Sequence, residues 1–166
     1  YQVEVGMYSA RDGNRQPVTA GGEGDRLLLG QVAVGPAPRP PSAAELGIPH
    51  PLAVEFGPIR LIGYGLTLAG QDAERTAFAP GDVADLTLFW EAESQPPSAA
   101  SFSLQLAGQT LAHGPLVPQF TTLSWHAEDR FRDQHRLTLP SGIHGSQDLV
   151  LAIGGQRSSV AQLRVG

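Results

Sequence analysis

The stretch Val83-Ala-Asp-Leu-Thr-Leu-Phe-Trp-Glu91 decides the fold, because it is the most hydrophobic run of β-forming residues in the chain. A turn sequence, Ala79-Pro-Gly-Asp82, precedes it, and a loop sequence, Gln95-Pro-Pro-Ser98, follows it. An apolar run of this length between Gly and Pro signals predicts a buried β-strand and not a helix. We therefore expect Val83–Glu91 to be the central strand of a sheet.

Strand signals continue on both sides of this run. Before it, Ile59–Leu68 is rich in β-forming residues and is broken by two glycines, as at a bulge or bend. After it, Ser101–Leu106 alternates apolar and polar residues, and Gly108-Gln109 predicts a tight hairpin. No apolar pattern with a period of 3.6 residues persists for ten residues. Further strands are expected at Thr110–His113, Phe131–Leu139, Leu149–Ile153 and Val160–Val165. The pattern predicts an all-β protein, an Ig-like antiparallel β-sandwich.

A proline-rich segment, Gly35-Pro-Ala-Pro-Arg-Pro-Pro41, predicts a boundary between two parts of the chain. We expect residues 1–35 to form an N-terminal β-hairpin segment, 36–51 a Pro-rich linker and 52–166 the β-sandwich module. Within the linker, Ser42 and Glu45 have the spacing of a helix N-terminus, although Pro49 and Pro51 would end such a helix quickly.

The two ends of the chain resemble each other weakly. Val3-Glu-Val-Gly6 is similar to Leu151-Ala-Ile-Gly154, and Gln31–Gly35 is similar to Gln162–Gly166. Residues 1–35 are therefore either the closing strands of a preceding module in a tandem array or a hairpin that docks onto the main sandwich. Docking is favoured at this stage, because apolar strands would otherwise have open edges.

Composition excludes several classes of function. The chain has 166 residues, a formal net charge of −5 and 11 basic residues, all of them arginine, so a nucleic-acid partner is not expected. The absence of cysteine excludes disulfides, a thiol nucleophile and a Cys-based zinc site. The longest apolar stretches are too short to cross a bilayer. Because Tyr1 begins in the middle of an alternating pattern, we expect the chain to be a piece of a longer protein.

Candidate reactive groups do not form a recognisable catalytic or metal motif. His126, Glu128, Asp129, His135 and His144 lie in one third of the chain, but their spacing matches no metal-ligand signature. We interpret these histidines as surface loop residues and predict no metal and no cofactor. Carboxylates near the ends of the central strand are interpreted as solvated charges, and the chain has neither a nucleophile elbow nor a P-loop. No catalytic residue is predicted.

Exposed aromatic rings are the remaining candidate for a binding site, because sugar rings stack on them. Trp125 lies in a polar segment, and Tyr8 and Tyr64 are possible companions for glycan contact. Trp90 is expected in the core. For Trp125, packing at one end of the sandwich is the favoured alternative to sugar contact.

Several segments, in order along the chain, resemble a known family. The first is Tyr1-Gln-Val-Glu-Val-Gly-Met-Tyr8 with Gly13-Asn-Arg-Gln-Pro-Val18, which resembles a recurrent hairpin, YxLxVGLYDxxxGxRLPV. The others are Ile59-Arg-Leu-Ile-Gly-Tyr64, Leu86-Thr-Leu-Phe-Trp90, Thr121-Thr-Leu-Ser-Trp125 and Arg132–Pro140. Together they resemble the C-terminal extracytoplasmic β-sandwich modules of bacterial multi-pass membrane proteins similar to dolichyl-phosphate-mannose–protein mannosyltransferases. The chain departs from that family in a shortened central hairpin, Ser101–Thr110, and in Ser141–Val150, which replaces the usual final Tyr-bearing motif.

The resemblance implies a function outside the cytoplasm without catalysis by this segment. It implies an accessory module tethered through the membrane-embedded remainder of a glycosyltransferase-like parent chain, with a glycan or cell-envelope component as its partner. A stand-alone carbohydrate-binding module is the first alternative, and exposed coplanar aromatics would indicate it. A glycoside hydrolase-like enzyme with an acid pair near Glu91 or Glu128 is the second, and a cleft with two carboxylates about 5–10 Å apart would indicate it.

Overall fold

The computed structural model describes residues 2–19, 24–32 and 40–166. The chain divides into two compact units, Tyr1–Arg39 and Pro40–Gly166. The regular structure of the described residues consists of β-strands, apart from a single 3-10 turn at Thr122–Ser124. The predicted all-β fold is therefore confirmed.

The first unit contains one hairpin. Strands β1 (Gln2–Val5) and β2 (Leu27–Gln31) pair antiparallel, and an isolated bridge joins Tyr8 to Arg15. This pairing agrees with the β-hairpin expected within residues 1–35, of which residues 33–35 lie outside the described part of the chain.

The second unit is a sandwich of two sheets. The first sheet has the strand order β3-β4-β6-β9 and the second has the order β5-β11-β10-β7-β8. All neighbouring strands are antiparallel except β5 and β11, which pair in parallel over two residues. The strands are β3 (His50–Phe56), β4 (Ile59–Leu68), β5 (Ala77–Phe78), β6 (Val83–Ala92), β7 (Ser101–Leu106), β8 (Gln109–Pro115), β9 (Arg130–Thr138), β10 (Gly145–Ile153) and β11 (Gln156–Val165).

The hydrophobic core lies between the two sheets. Strand β6 is internal to its sheet, as predicted, with β4 on one side and β9 on the other. Its alternate residues Leu86, Leu88 and Trp90 are fully buried and belong to the same apolar cluster as leucines of β7 and β10. Burial of each such side chain contributes about 1.5–3 kcal/mol relative to leaving it in water, so this cluster is the main source of stability.

The chain changes sheets between β4 and β5. Residues 69–76 run along the edge of β4, where Arg75 N donates to the Leu66 carbonyl at 2.9 Å. The chain then reaches β11, where Arg164 N donates to the Thr76 carbonyl at 2.8 Å and Gly166 N to the Phe78 carbonyl at 3.1 Å. This crossing connects the two layers of the sandwich.

The predicted linker contains more structure than its prolines indicate. Strand β3 begins at His50, within the segment 36–51, and Pro51 is tolerated there because β3 is an edge strand. Ser42 N donates to Glu45 Oε2 at 2.7 Å and Glu45 N donates to Ser42 Oγ at 3.3 Å, the reciprocal bonds of a capping box. Only a turn follows. The domain boundaries stay a prediction, since residues 33–39 lie outside the described part.

Gly63 allows β3 to approach β4 closely. The β3–β4 and β4–β6 registers both shift beside this glycine, in agreement with the bend expected from the glycines of this strand. A Cβ at Gly63 would overlap Ile48 Cγ2 and would lie 2.7 Å from the His50 carbonyl oxygen. A rotamer change of Ile48 could not relieve the whole clash, because the His50 oxygen belongs to the backbone.

We expect Gly63→Ala to destabilise the sandwich by about 1–3 kcal/mol, because the added methyl group must displace the start of β3. Gly142→Ala is the matched control, since a Cβ there meets nothing within 4 Å. Urea unfolding followed by tryptophan fluorescence measures both. Equal midpoints for the two variants would contradict the packing described for Gly63.

Candidate functional site

The register of the first sheet arranges its outward side chains in rows across β4, β6 and β9. We call this surface the outer face. Each row has one residue from each strand, so the ladder of backbone hydrogen bonds sets which side chains are neighbours. The rows are Arg60–Glu91–Arg130, Gly63–Phe89–Arg132, Gly65–Thr87–Gln134 and Thr67–Asp85–Arg136.

The first row is a nearly buried ion cluster around Glu91. Arg60 Nη2 donates to Glu91 Oε1, and Arg130 Nε donates to Glu91 Oε2 at 2.6 Å. Arg130 Nη1 also donates to the Pro41 carbonyl at 2.5 Å. Burial acts to raise the pKa of Glu91, but the hydrogen bonds and charges of Arg60 and Arg130 outweigh it and lower this pKa. Glu91 is therefore held as a carboxylate, whereas a general acid needs a raised pKa.

The opposite end row is a second ion pair. Arg136 donates to both carboxylate oxygens of Asp85, at 2.8 and 3.0 Å, and these bonds lower the pKa of Asp85. Between the two end rows, the guanidinium carbon of Arg132 lies 5.5 Å from the centroid of the Phe89 ring, a cation–π contact. The three arginines of edge strand β9 thus each have a partner on β6.

The row Gly65–Thr87–Gln134 lies in an open groove of about 440 Å³, which we call the outer-face groove. Its walls come from neighbouring rows and from the loop that follows β4, including Asp72 and Glu74. A Cβ at Gly65 would lie 2.9 Å from Glu74 Oε1, so the glycine lets that carboxylate approach the sheet. The groove combines a hydroxyl, an amide and carboxylates, groups that donate to and accept from hydroxyl-rich ligands.

Trp125, the first candidate for sugar contact, is in the core and offers no ring face to a ligand. The side chain is 0% exposed, and its ring stacks on Phe131 with centroids 4.2 Å apart. Its Nε1 donates to the Phe120 carbonyl at 3.2 Å. The 3-10 turn at Thr122–Ser124 precedes the indole, which enters the sandwich although its sequence neighbours are polar. The favoured alternative, packing within the sandwich, is what the structure shows.

The two tyrosines proposed as companions of Trp125 differ in exposure. Tyr64 is buried and stacks on His50 at 4.7 Å, and burial, with a smaller effect of Glu74, raises the pKa of Tyr64. Tyr8 is exposed and belongs to the unit Tyr1–Arg39, where its hydroxyl accepts a hydrogen bond from Arg15 Nε at 2.9 Å. Of the three residues, only Tyr8 offers an accessible ring.

His135 was interpreted as a surface loop residue, and this interpretation is wrong. It lies on β9 and is mostly buried, with its Nε2 3.0 Å from Oδ2 of the buried Asp133. The same carboxylate oxygen accepts from Val117 N at 3.3 Å, and the imidazole centroid lies 4.6 Å from that of Phe102. This pair places a carboxylate and an imidazole side by side inside the sandwich. Asp133 accepts its hydrogen bond from the Val117 backbone, whereas His135 Nε2 has no hydrogen-bond partner among the described residues.

Of the other metal candidates, only His126 and Asp129 approach each other in the part of the chain that the structure describes. His126 is exposed and its Nδ1 lies 3.6 Å from Asp129, and His144 is exposed before β10. Within residues 2–19, 24–32 and 40–166, no group of three His, Cys, Asp or Glu side chains could hold a metal ion. In the same ranges, no helix is long and apolar enough to cross a membrane.

No family model matches the chain, and no curated protein matches it. The crystal structure of the C-terminal domain of Wzt is 12% identical with a TM-score of 0.48, and the match covers 71% of this chain and 79% of that one. The Pseudomonas fluorescens alkylpurine DNA glycosylase AlkC, bound to DNA containing an abasic site analog, is 10% identical with a TM-score of 0.45. That second match covers 65% of this chain and 30% of the glycosylase chain.

We expect Glu91→Gln to destabilise the fold by about 2 kcal/mol at neutral pH, because two arginines lose their carboxylate partner. The pKa of Glu91 is lower in the folded chain than the 4.5 of the unfolded chain. The Glu91 carboxylate therefore stabilises the fold fully at a pH above 4.5, and this stabilisation is lost as the pH falls towards and through the folded-state pKa. The stability difference between the wild type and the variant should therefore shrink below about pH 4.5. Unfolding in urea from pH 7 to pH 2.5 measures it.

Asp148→Asn serves as the control for this experiment, since Asp148 is an exposed residue of β10. It should change the stability by less than about 0.5 kcal/mol. A wild-type advantage over Glu91→Gln that stayed constant down to pH 2.5 would show that the carboxylate charge is not what stabilises this row.

Proposed function

We propose that this chain is a non-catalytic accessory module outside the cytoplasmic membrane, attached to a bacterial glycosyltransferase-like membrane protein. In this proposal the outer-face groove makes weak contact with a glycan of the cell envelope. The family resemblance of the sequence supports the context, and the arrangement of the groove supports the contact. The remainder of the parent chain would supply the membrane anchor and the catalytic residues.

One observation carries the glycan contact: Thr87 and Gln134 lie side by side on paired strands, between the row with the Phe89–Arg132 cation–π contact and the row with the Asp85–Arg136 ion pair. A hydroxyl and an amide each donate and accept, which matches the hydroxyl groups of a sugar. Because both side chains lie on paired strands and not on loops, their spacing is fixed before any ligand binds.

The groove also favours weak over tight binding. Its lining has charged, amide, hydroxyl and glycine residues but no aromatic ring, so the stacking contribution of dedicated carbohydrate-binding modules is lacking. We expect dissociation constants of about 1 mM, which correspond to a binding free energy of about −4 kcal/mol. Weak contact of this kind suits a module that is already tethered close to its ligand, since tethering raises the effective concentration.

Two outer-face carboxylates support an accessory role over a hydrolase. Glu91 is ionised and bound by Arg60 and Arg130, and Asp85 is bound by Arg136. The acid of a glycoside hydrolase must instead be protonated near neutral pH. A hydrolase with Glu91 as its acid would need these ion pairs to break.

We also propose that the sandwich has Ig-like topology. Strands β4, β6 and β9 follow the A-B-E order of one Ig sheet, and β11, β10, β7 and β8 follow the G-F-C-C′ order of the other. Strand β3 would then be an addition beside strand A.

The glycan contact is tested by NMR titration of the ¹⁵N-labelled chain with linear oligosaccharides of mannose, galactose and N-acetylglucosamine. We expect saturable shifts of the amides near Thr87 and Gln134, and Gln134→Ala should weaken the binding at least about fivefold through loss of a hydrogen bond worth ~1 kcal/mol. Gln162→Ala is the matched control, because Gln162 is an exposed glutamine on the other sheet.

Either of two results would count against the contact. The first is the absence of shifts with every oligosaccharide at concentrations of several times ~1 mM. The second is an equal loss of affinity in Gln134→Ala and Gln162→Ala. The location is tested separately, by adding protease to intact spheroplasts that express the natural parent protein. Proteolysis of this segment without lysis is expected, and protection until lysis would contradict the proposed side of the membrane.

A further inference from the structure

The N-terminal hairpin repeats a detail of the last hairpin of the sandwich. Both pairs of strands are antiparallel, and both contain one β-bulge. When the hairpins are aligned on Gln31 and Gln162, the bulges coincide, with Leu29 in β2 and Val160 in β11 as the extra residue. This alignment places Val3 on Leu149 and so corrects, by two residues, the sequence similarity that placed Val3 on Leu151. The pairs are Val3 with Gly30, Glu4 with Leu28 and Val5 with Leu27 in the first hairpin, and Leu149 with Ala161, Val150 with Ser159 and Leu151 with Ser158 in the last.

At three of the aligned positions the residues of both hairpins are apolar but differ in burial. The other positions beside the bulge differ in chemistry, since Glu4 aligns with Val150, Leu28 with Ser159 and Leu27 with Ser158. Leu149 and Leu151 are fully buried in the sandwich core, whereas their counterparts Val3 and Val5 are 39% and 46% exposed. The bulge residue of the last hairpin, Val160, is 3% exposed, and its counterpart Leu29 is 59% exposed. The first hairpin therefore has exposed apolar side chains at positions where the last hairpin contributes to the core.

The last hairpin is covered by strands that come earlier in the chain. Strand β7 pairs with the free edge of β10, setting Leu104 opposite Leu151 and Leu106 opposite Leu149. The inner face of the other sheet covers the same leucines from the opposite layer. All of these strands lie between residues 50 and 138 and thus precede β10.

From this equivalence we propose that residues 2–32 are the closing hairpin of a further sandwich of the same type. Its apolar face, formed by Val3, Val5, Leu27 and Leu29, docks on strands supplied by the polypeptide N-terminal to the hairpin. A β-bulge is a local feature that is kept within families, so a bulge at the same point of the same hairpin indicates common descent. Of the two alternatives left open by the sequence, this supports the tandem array. The inference does not depend on the outer-face groove.

A second copy of this chain fits the surface less well. In each copy, the position beside β7 is already filled by β10, and that beside β5 by β11. A hairpin from another molecule could bind there only by displacing its own counterpart. A two-stranded hairpin is also marginally stable without a covering layer, so the hairpin needs a partner in order to be ordered.

Amide hydrogen exchange tests the proposal on two samples, the 166-residue chain and the natural parent protein with the residues that precede Tyr1. We expect the amides of β1 and β2 to exchange at least about 100-fold more slowly in the parent, while those of β10 and β11 are protected in both. Equal exchange of β1 and β2 in the two samples, whether fast or slow, would overturn the proposal. A parent without strand-forming residues before the hairpin would overturn it as well.

Two neighbouring leucines provide a matched pair of variants in the parent protein. Leu27→Asn changes the face equivalent to the core, whereas Leu28→Asn changes the opposite face, where Leu28 pairs with Glu4. We expect Leu27→Asn to reduce the protection of β1 and β2 at least about tenfold and Leu28→Asn to change it less than about twofold. Equal effects of the two variants would contradict the assignment of the faces. Concentration-dependent protection in the 166-residue chain would show a second copy as the partner and overturn the proposed occupant.

Discussion

The strict two-residue alternation along β6 is the constraint on which the rest of the sandwich depends. One set of side chains, Leu86, Leu88 and Trp90, enters the core, and the other, with Asp85, Thr87 and Glu91, forms the middle of the outer face. A shift of one residue would exchange the two sets, move two leucines and a tryptophan to the outer face and turn two carboxylates towards the apolar core. Because β4 and β9 both pair with β6, its register also sets which residues face each other in every row. The pairing of β6 thus determines both which side chains fill the core and which side chains are neighbours on the outer face.

The outer face shows how charge can be accommodated on an edge strand. Strand β9 ends its sheet, and its outward arginines are each matched to a group on β6, a carboxylate for Arg130 and Arg136 and a ring for Arg132. Charged side chains discourage pairing of an open edge with another strand. The same arrangement leaves the uncharged row Gly65–Thr87–Gln134, where a ligand can form hydrogen bonds without breaking an ion pair.

The sequence predicts best where one local pattern is sufficient, and worst where a distant partner decides. The residues around Leu86–Trp90 predict a buried strand without reference to any other segment, and the structure confirms this strand. Trp125 could not be placed in this way, because the turn that carries it inward is visible only in the fold. His135 could have been placed, since Arg132, Gln134 and Arg136 mark one polar face of β9 and leave His135 on the inner one. The bulge shared by the two hairpins lies beyond local patterns, because pairing partners far apart in the chain define it.

The crossing between β4 and β5 has a mechanical consequence. Strand β4 is held in one layer by β6, and β5 is held in the other by its short parallel pairing with β11. Tension applied at the start of the sandwich would reach β3 before β4, because β3 comes first in the chain and lies at the edge of its sheet. Once β4 is loaded, the tension passes to the two residues of β5, whose pairing with β11 would be loaded in shear and would resist the sliding of one layer over the other.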